Sequence, residues 1–503
     1  MNKYLNIALT SAILLPLSLK AQNEVDALRY SQTNGAATAR ALSLGGAGGS
    51  YGGDFSSLSI NPAGLGIYRS SELMITPTLR VNSMNGSYLG TNSNDNNTRF
   101  GIANLGGVFT TRLKKRGDTN GWQTISFGIG YNRVADFNQH GYYAGNNDHS
   151  SLTEGFAADA YANGPNGNLV PPYGYLGYRG YVLADSVDNY ASIPYQNIIQ
   201  KGGSLNQSKS WRSTGGVDEF TGSVGANYAD KLMLGATLGI TSYKYDRTTA
   251  YTEADATGNN NNDFDKLQYN EYLTTTGVGV NVKLGAIYKI NDYFRVGGAF
   301  HTPTWSSFTD VSDYNIDSYT EGYKASLNST DVDPHTFVEA PAISSFDYSL
   351  RTPWKGLLSA TAFMGKYGFV TADYEYTAYN SMRYSFNNEY STYEHLVNQA
   401  IEDTYRGTHT FRLGIEGKMD NFSARLGGAY YTSPYKDSKD FDGQRLDLSA
   451  GIGARFGGFF VDLAYVHIMQ KNAEFAYPVN VVSDVANIKY GNNTVALTLG
   501  FKL

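Results

Sequence analysis

From Ser71 onward the chain repeats one pattern many times: apolar and polar positions alternate with a period of two. In "NTVALTLGFKL", Val495, Leu497, Leu499, Phe501 and Leu503 share one face, and Ala496, Thr498, Gly500 and Lys502 the other. In "TGVGVNVKLGAIYKI", Val278, Val280, Val282, Leu284, Ala286, Tyr288 and Ile290 oppose Asn281, Lys283 and Lys289. "GFVTADYEYTAY" separates Val370, Ala372, Tyr374 and Tyr376 from Thr371, Asp373, Glu375 and Thr377. Strands with one apolar face produce this period. It predicts strands at about 71–85, 99–113, 121–137, 214–229, 231–247, 272–290, 293–309, 343–364, 367–382, 406–419, 421–434, 444–456, 458–472 and 489–503.

Alternation alone does not separate a soluble sandwich from a membrane barrel. Three further features favour the barrel. Many of the segments run to a dozen residues or more, against about 5–6 in ordinary strands. Aromatic residues gather beside the tight turns: Tyr228, Tyr288, Tyr293, Phe294, Tyr367, Phe456 and Phe459. The connections alternate between short ("KKRGDTNG", "ADK", "IND", "GKYG", "MDN", "FGG") and long (86–98, 138–213, 248–271, 310–342, 383–405, 435–443, 473–488). One rim therefore carries tight turns and the other large loops, as in outer-membrane barrels. The expected fold is all-β: a transmembrane antiparallel β-barrel of about fourteen strands in the outer membrane of a Gram-negative bacterium, with both termini on the periplasmic side. In loop 383–405, Leu396, Val397, Ala400, Ile401 and Tyr405 have helical spacing, which predicts a short amphipathic helix over the barrel mouth.

Composition narrows the function classes. Lys plus Arg total 39 against 45 Asp plus Glu, so nothing points to nucleic acid. With Cys 0, the chain is not a disulfide-stapled domain, while Tyr 41, Phe 24 and Gly 56 suit aromatics at a lipid–water boundary and strands that bend at glycines. The start, "MNKYLNIALTSAILLPLSLKAQN", has the positive end, short apolar run and small residue of a secretory signal peptide over residues 1–21.

Residues 22–70 do not alternate. "ARALSLGGAGGSYGGDFSSLSINPAGLGIY" is glycine-rich, yet it carries Leu42, Leu44, Phe55, Leu58, Ile60, Leu65 and Ile67, which need burial. Asn61 can cap a turn, Pro62 presets its geometry, and Gly64 and Gly66 permit tight reversal. A compact segment of this kind fits the interior of the barrel that follows, where it would serve as an N-terminal hatch, with the barrel over 71–503 and loop 138–213 as its largest extracellular loop.

The stretch "GAATARALSLGGAGGSYGGDFSSLSINPAGLG" resembles the outer-membrane long-chain fatty-acid transporter (FadL-like) family, which includes aromatic-hydrocarbon channels. "TPWKGLLSATAFMGKYGFVTADYEYTAY" and "RLGIEGKMDNFSARLGGAYYTSPY" extend the likeness into the barrel. The resemblance implies a fourteen-stranded barrel with a hatch whose motif residues here are Asp54, Phe55, Asn61, Pro62, Ala63 and Gly64. It implies passive transport of a hydrophobic small molecule, with lateral exit where an inward-kinked strand breaks the wall. In the third strand, "TISFGIGYNRV", Gly128 and Gly130 are the candidate kink, or else small lumen-facing residues. The family's ligand-contacting residues do not carry over.

No GxSxG elbow, P-loop or HExxH occurs, so the reading is not an enzyme, and no cofactor or metal is expected. The seven histidines lack metal-ligand spacing. Two alternatives stay open. One is a secretion-accessory or surface-binding barrel that presents loop 138–213 to exported protein partners. The other is haem uptake, with His140 and His149 in that loop as the histidines that could serve. The barrel is expected to be a monomer surrounded by outer-membrane lipid.

Overall fold

The computed structural model describes residues 23–33, 37–114, 120–163, 169–185, 195–197, 199, 204–259, 263–321, 335–342, 345–437, 443–475 and 484–503. The expected signal peptide lies outside them. Two helices, α1 (Glu24–Ser31) and α2 (Ala39–Ser43), precede the strands. The strands are β1 (Glu72–Tyr88), β2 (Thr91–Arg112), β3 (Trp122–Asp136, continued by Gln139–Asn147), β4 (Leu205–Tyr228) and β5 (Leu232–Asp255). Next come β6 (Lys266–Lys289), β7 (Phe294–His301 and Trp305–Tyr319), β8 (His335–Glu339, Phe346–Arg351 and Lys355–Phe363) and β9 (Gly368–Ala378 and Arg383–Ser385). β10 (Gly407–Met419), β11 (Phe422–Tyr431), β12 (Arg445–Phe456), β13 (Phe459–Phe475) and β14 (Val485–Lys502) complete the set. Each strand pairs antiparallel with the next, and β14 returns to β1 through Glu72↔Lys502 to Ser87↔Asn487. The result is a closed barrel of 14 strands.

The orientation of the alternating faces decides its environment. In β14, Ala496 and Thr498 are buried while Val495 and Phe501 are exposed. In β9, Thr371 and Asp373 point inward, opposite the apolar set. Leu238, Ile240, Val278, Leu358, Leu413, Leu426 and Ile452 are likewise exposed large apolar side chains. Apolar-out and polar-in is the inverse of a water-soluble fold. At the short-turn rim the apolar band ends in aromatic residues, among them Trp122 edge-on to Tyr228 at 5.2 Å, Tyr288, Tyr293, Tyr367 and Phe459. No described helix is long and apolar enough to cross a membrane. The chain spans the outer membrane as a barrel.

The long-loop rim differs from the expected loop boundaries. Residues 86–98 are not a loop: β1 and β2 stay paired to Tyr88↔Thr91, across a turn at Leu89 and Gly90, both with positive φ. Loop 138–213 is shortened at both ends, because Gln139–Asn147 pairs with Leu205–Ser213. The 248–271 loop is strand as far as Asp255 and again from Lys266. Above the membrane the outward face of a strand meets water and turns polar, while the inward face still buries Leu267, Tyr269, Tyr314 and Ile316, so the apolar-out signal fades although backbone pairing continues.

Over this rim, α3 (Leu152–Asn163) and α4 (Tyr173–Arg179) pack Phe156 and Tyr173 against Tyr269 of β6 and Tyr314 of β7. Glu253 of β5 anchors α3, accepting from Ser151 Oγ (2.6 Å), the Leu152 amide (2.8 Å), Gln207 Nε2 (2.8 Å) and Tyr251 Oη (3.0 Å). The predicted helix in 383–405 is α5 (Ser391–Thr404), which buries Val397 and Ile401.

The hatch, the lumen and a seam in the wall

The N-terminal segment lies inside the ring. Thr38 caps α2, and its Oγ1 also donates to Asp54 Oδ1 (3.0 Å). Asp54 accepts from the Ser56 amide at 2.9 Å, closing a 3-10 turn over Phe55–Leu58. Asn61 opens a second, Pro62–Ile67, with Oδ1 accepting from the Ala63 amide (3.1 Å). Its Nδ2 donates to the Gly49 carbonyl (2.7 Å) and reaches the wall carbonyls of Ala286 and Gly298 at 3.3 Å each. Phe55, Leu58, Ala63 and Leu65 are fully or almost fully buried.

The wall's glycines explain how the hatch sits so close. A Cβ at Gly235 would lie 2.3 Å from the Pro62 carbonyl group, one at Gly285 1.9 Å from Asn61 Oδ1, and one at Gly427 2.2 Å from the Leu44 carbonyl carbon. Gly128 and Gly130 belong to the same set, since their Cβ atoms would meet Leu58 at 3.1 Å and Phe55 at 2.3 Å. Both are paired on both sides, Gly128 with Val108 and Ser223, Gly130 with Gly106 and Thr221. The ladder therefore runs unbroken through the candidate kink. These glycines make room for the hatch.

Charge fixes the hatch to the opposite wall. Arg40 donates to Glu416 of β10 through Nε (2.9 Å) and Nη2 (3.2 Å). Glu416 also takes Arg425 Nε at 2.6 Å, and Arg425 Nη1 continues to Asp462 at 2.6 Å. The Arg40 guanidinium lies over the rings of Tyr51 and Phe369, 5.0 and 5.7 Å from their centroids.

The wall stops pairing elsewhere. β2 and β3 are joined from Asn104↔Asn132 down to Arg112↔Thr124. Above that level, among the described residues, β2 pairs with β1 alone and β3 with β4 alone, through a bulge at Arg133/Ala135. Here β3 turns into the lumen. The Asn138 carbonyl accepts from Asn82 Nδ2 (2.9 Å), and Asp136 sits 3.0 Å from the Arg80 guanidinium, both on β1, the strand beyond β2. A second bulge lies at Thr76/Pro77, where Ala103 of β2 is skipped. Proline supplies no ladder donor and is confined to edges and bulges. Asn104, fully buried where the β2–β3 ladder ends, has neither amide atom paired.

Above the hatch is a cavity of about 280 Å³, and Thr78, Ala103, Arg133, Val134 and Asn138 bring it to this seam. Much of its lining is charged but paired: Glu219–Lys283 (2.5 Å), Glu375–Arg412 (3.1 Å) and Arg445–Asp447 (2.6 Å). His140 borders the cavity, whereas His149 is exposed beside Asp148.

The barrel fold has counterparts among solved structures. A Pseudomonas aeruginosa FadL homologue superposes with a TM-score of 0.53 at 14% identity, over 93% of this chain and 98% of that one. The P. putida toluene transporter TodX gives 0.53 at 10% identity, over 94% and 99%. The chain has the FadL fold. No family model matches it, and no curated protein does. At such identities the FadL-type likeness lies in backbone architecture.

Among the residues that shape this FadL-type lumen, local sequence pattern marks the hatch turns and offers a single sign of the seam. Pro77 in "MITPTLRV" is the available signal, a proline inside an otherwise regular strand pattern. Tyr30 and Arg40 give none, because their partners lie on distant strands.

Proposed function

We propose that this protein lets small hydrophobic molecules cross the outer membrane passively, entering from the long-loop side and leaving sideways through the seam between β2 and β3. The observation that carries this reading is the cavity's reach to the unpaired stretch of wall while the hatch fills the axis beneath it. An axial aqueous channel would gain a hydrophobic solute little. A side exit delivers apolar surface directly to lipid, where its transfer is favourable. Exposed Phe100, Ile102, Leu105 and Ile129 flank the seam on its outer face. The FadL homologue and TodX, the latter a toluene transporter by name, support the reading.

The test compares labelled fatty acids and aromatic hydrocarbons entering a deletion strain and the same strain carrying Ala103→Trp or the parental gene. Ala103 lines the cavity at the seam, and an indole there would fill the exit. Uptake should fall in the deletion strain, return with the parental gene and stay low with Ala103→Trp. Parental uptake in the deletion strain would sink the transport reading. Full uptake with a folded Ala103→Trp barrel would sink the lateral route.

A further inference from the structure

One ring of the N-terminal segment is held in a cage of aromatic rings. The Tyr30 phenol of α1 stacks on Phe308 (centroids 5.0 Å, 25° between planes). Phe137, Tyr245 and Tyr243 meet it edge-on at 6.0, 6.2 and 6.3 Å. Phe308 stacks in turn on Tyr348 at 5.3 Å. These walls come from the β3 region and from β5, β7 and β8, so the cage belongs to the barrel. Thr275 of β6 lies beside the enclosed hydroxyl.

The occupant does not belong to the barrel in the same way. It rides on an eight-residue helix that pairs with no strand. Among the described residues its polar ties to the barrel are Tyr384 Oη to the Asn23 carbonyl (3.1 Å), Tyr405 Oη to the Glu24 carbonyl (3.0 Å), Lys355 Nζ to Thr33 Oγ1 (2.6 Å) and the Arg29 guanidinium over the Tyr245 ring (4.5 Å). Tyr30 and Ser31 also border the lumen cavity, so without the Tyr30 ring the cage would open into that space.

One stacked wall and three edge-on walls select a flat ring, because edge-to-face contact depends on the ring quadrupole, which an alkyl chain lacks. We propose that this cage is a binding site for a small aromatic solute bearing a hydroxyl group, a phenol-type compound, and that Tyr30 occupies it in the resting protein. The ligand class follows from the cage. Its place in transport rests on the uptake reading above. A solute must then compete with Tyr30, and its apparent affinity is reduced by the fraction of molecules whose cage is filled.

Titration calorimetry of the detergent-purified full chain tests this with p-cresol, toluene and decanoate. Tyr30→Ala should bind p-cresol at least ten-fold more tightly than the parent, with a smaller gain for toluene and none for decanoate. Tyr30→Phe keeps the cage filled and should stay near the parent. Adding Phe308→Ala to Tyr30→Ala should abolish the gain. Equal p-cresol affinity in Tyr30→Ala and parent, or an equal gain for decanoate, would overturn the proposal. A second measurement leaves Tyr30 in place. The chain has Cys 0, so a spin label on Gln32→Cys reports on α1 alone. Saturating p-cresol should mobilise the label and decanoate should not; an unmoved label refutes competition with Tyr30. Uptake is scored separately. A cage that binds p-cresol in a protein whose deletion leaves uptake unchanged defeats the transport reading and not the cage. The opposite result defeats the cage alone.

Discussion

Replacing Arg40 with Met should unlatch the hatch without emptying the space its stem fills. Arg40 makes two charge-assisted bonds to Glu416, at 2.9 and 3.2 Å, with its side chain 11% and that of Glu416 0% exposed. Bonds to charged groups contribute about 1.5–3 kcal/mol each, before the cost of burying the guanidinium is subtracted. The substitution does not strand a carboxylate, because Glu416 keeps Arg425 Nε at 2.6 Å and Lys418 Nζ at 3.1 Å. The loss therefore falls below the full penalty for breaking a buried pair. A net cost of about 2–3 kcal/mol remains, and at about 1.4 kcal/mol per factor of ten it raises the open-hatch population roughly 30- to 140-fold. In planar bilayers the parent should conduct rarely, and Arg40→Met should show open events more often by that factor. Arg40→Lys, which keeps the charge but not the fork, should fall between them. Arg40→Met channels opening at the parental frequency, with heat-modifiable gel mobility showing an intact barrel, would refute the latch.

Three further outcomes follow from the contacts. Asn61→Ala with Pro62→Ala removes a side chain bonded to Gly49 at 2.7 Å and the preset turn; it should make vesicles leaky to small polar sugars in swelling assays, and unchanged permeability would count against the hatch. Gly235→Ala places a methyl 2.3 Å from backbone atoms of Pro62, which cannot step aside, so overpacking of about 1–3 kcal/mol should produce the same leak, whereas Gly222→Ala, whose added methyl would find no atom within 4 Å, should not. Glu253→Ala removes the acceptor of the two bonds that tie the start of α3 to β5, from Ser151 Oγ and the Leu152 amide; limited proteolysis should then cut within 152–163 at least ten times faster, and parental cutting rates would show the cap to be held by Phe156 and Tyr173 instead.

The strand number, the sidedness of the rims and the membrane setting were legible in the chain because each is written in short-range order. A period of two fixes which side chains share a face, and turn lengths fix which ends lie together. Asn61–Gly64 announced a compact turn for the same reason, since capping and proline geometry act within three residues. The outer ends of β1 to β8 were lost where the outward face of the strands turned polar, although the pairing went on. Gly128 and Gly130 could be read locally only as a bend or as small residues; what distinguishes them is Leu58 and Phe55, some seventy residues earlier, pressing on the wall. The seam, the Arg40–Glu416 latch and the Tyr30 cage were decided by tertiary structure alone. Each joins groups far apart in sequence, and no local periodicity records a contact made only when a closed ring of strands brings opposite walls around the segment inside it.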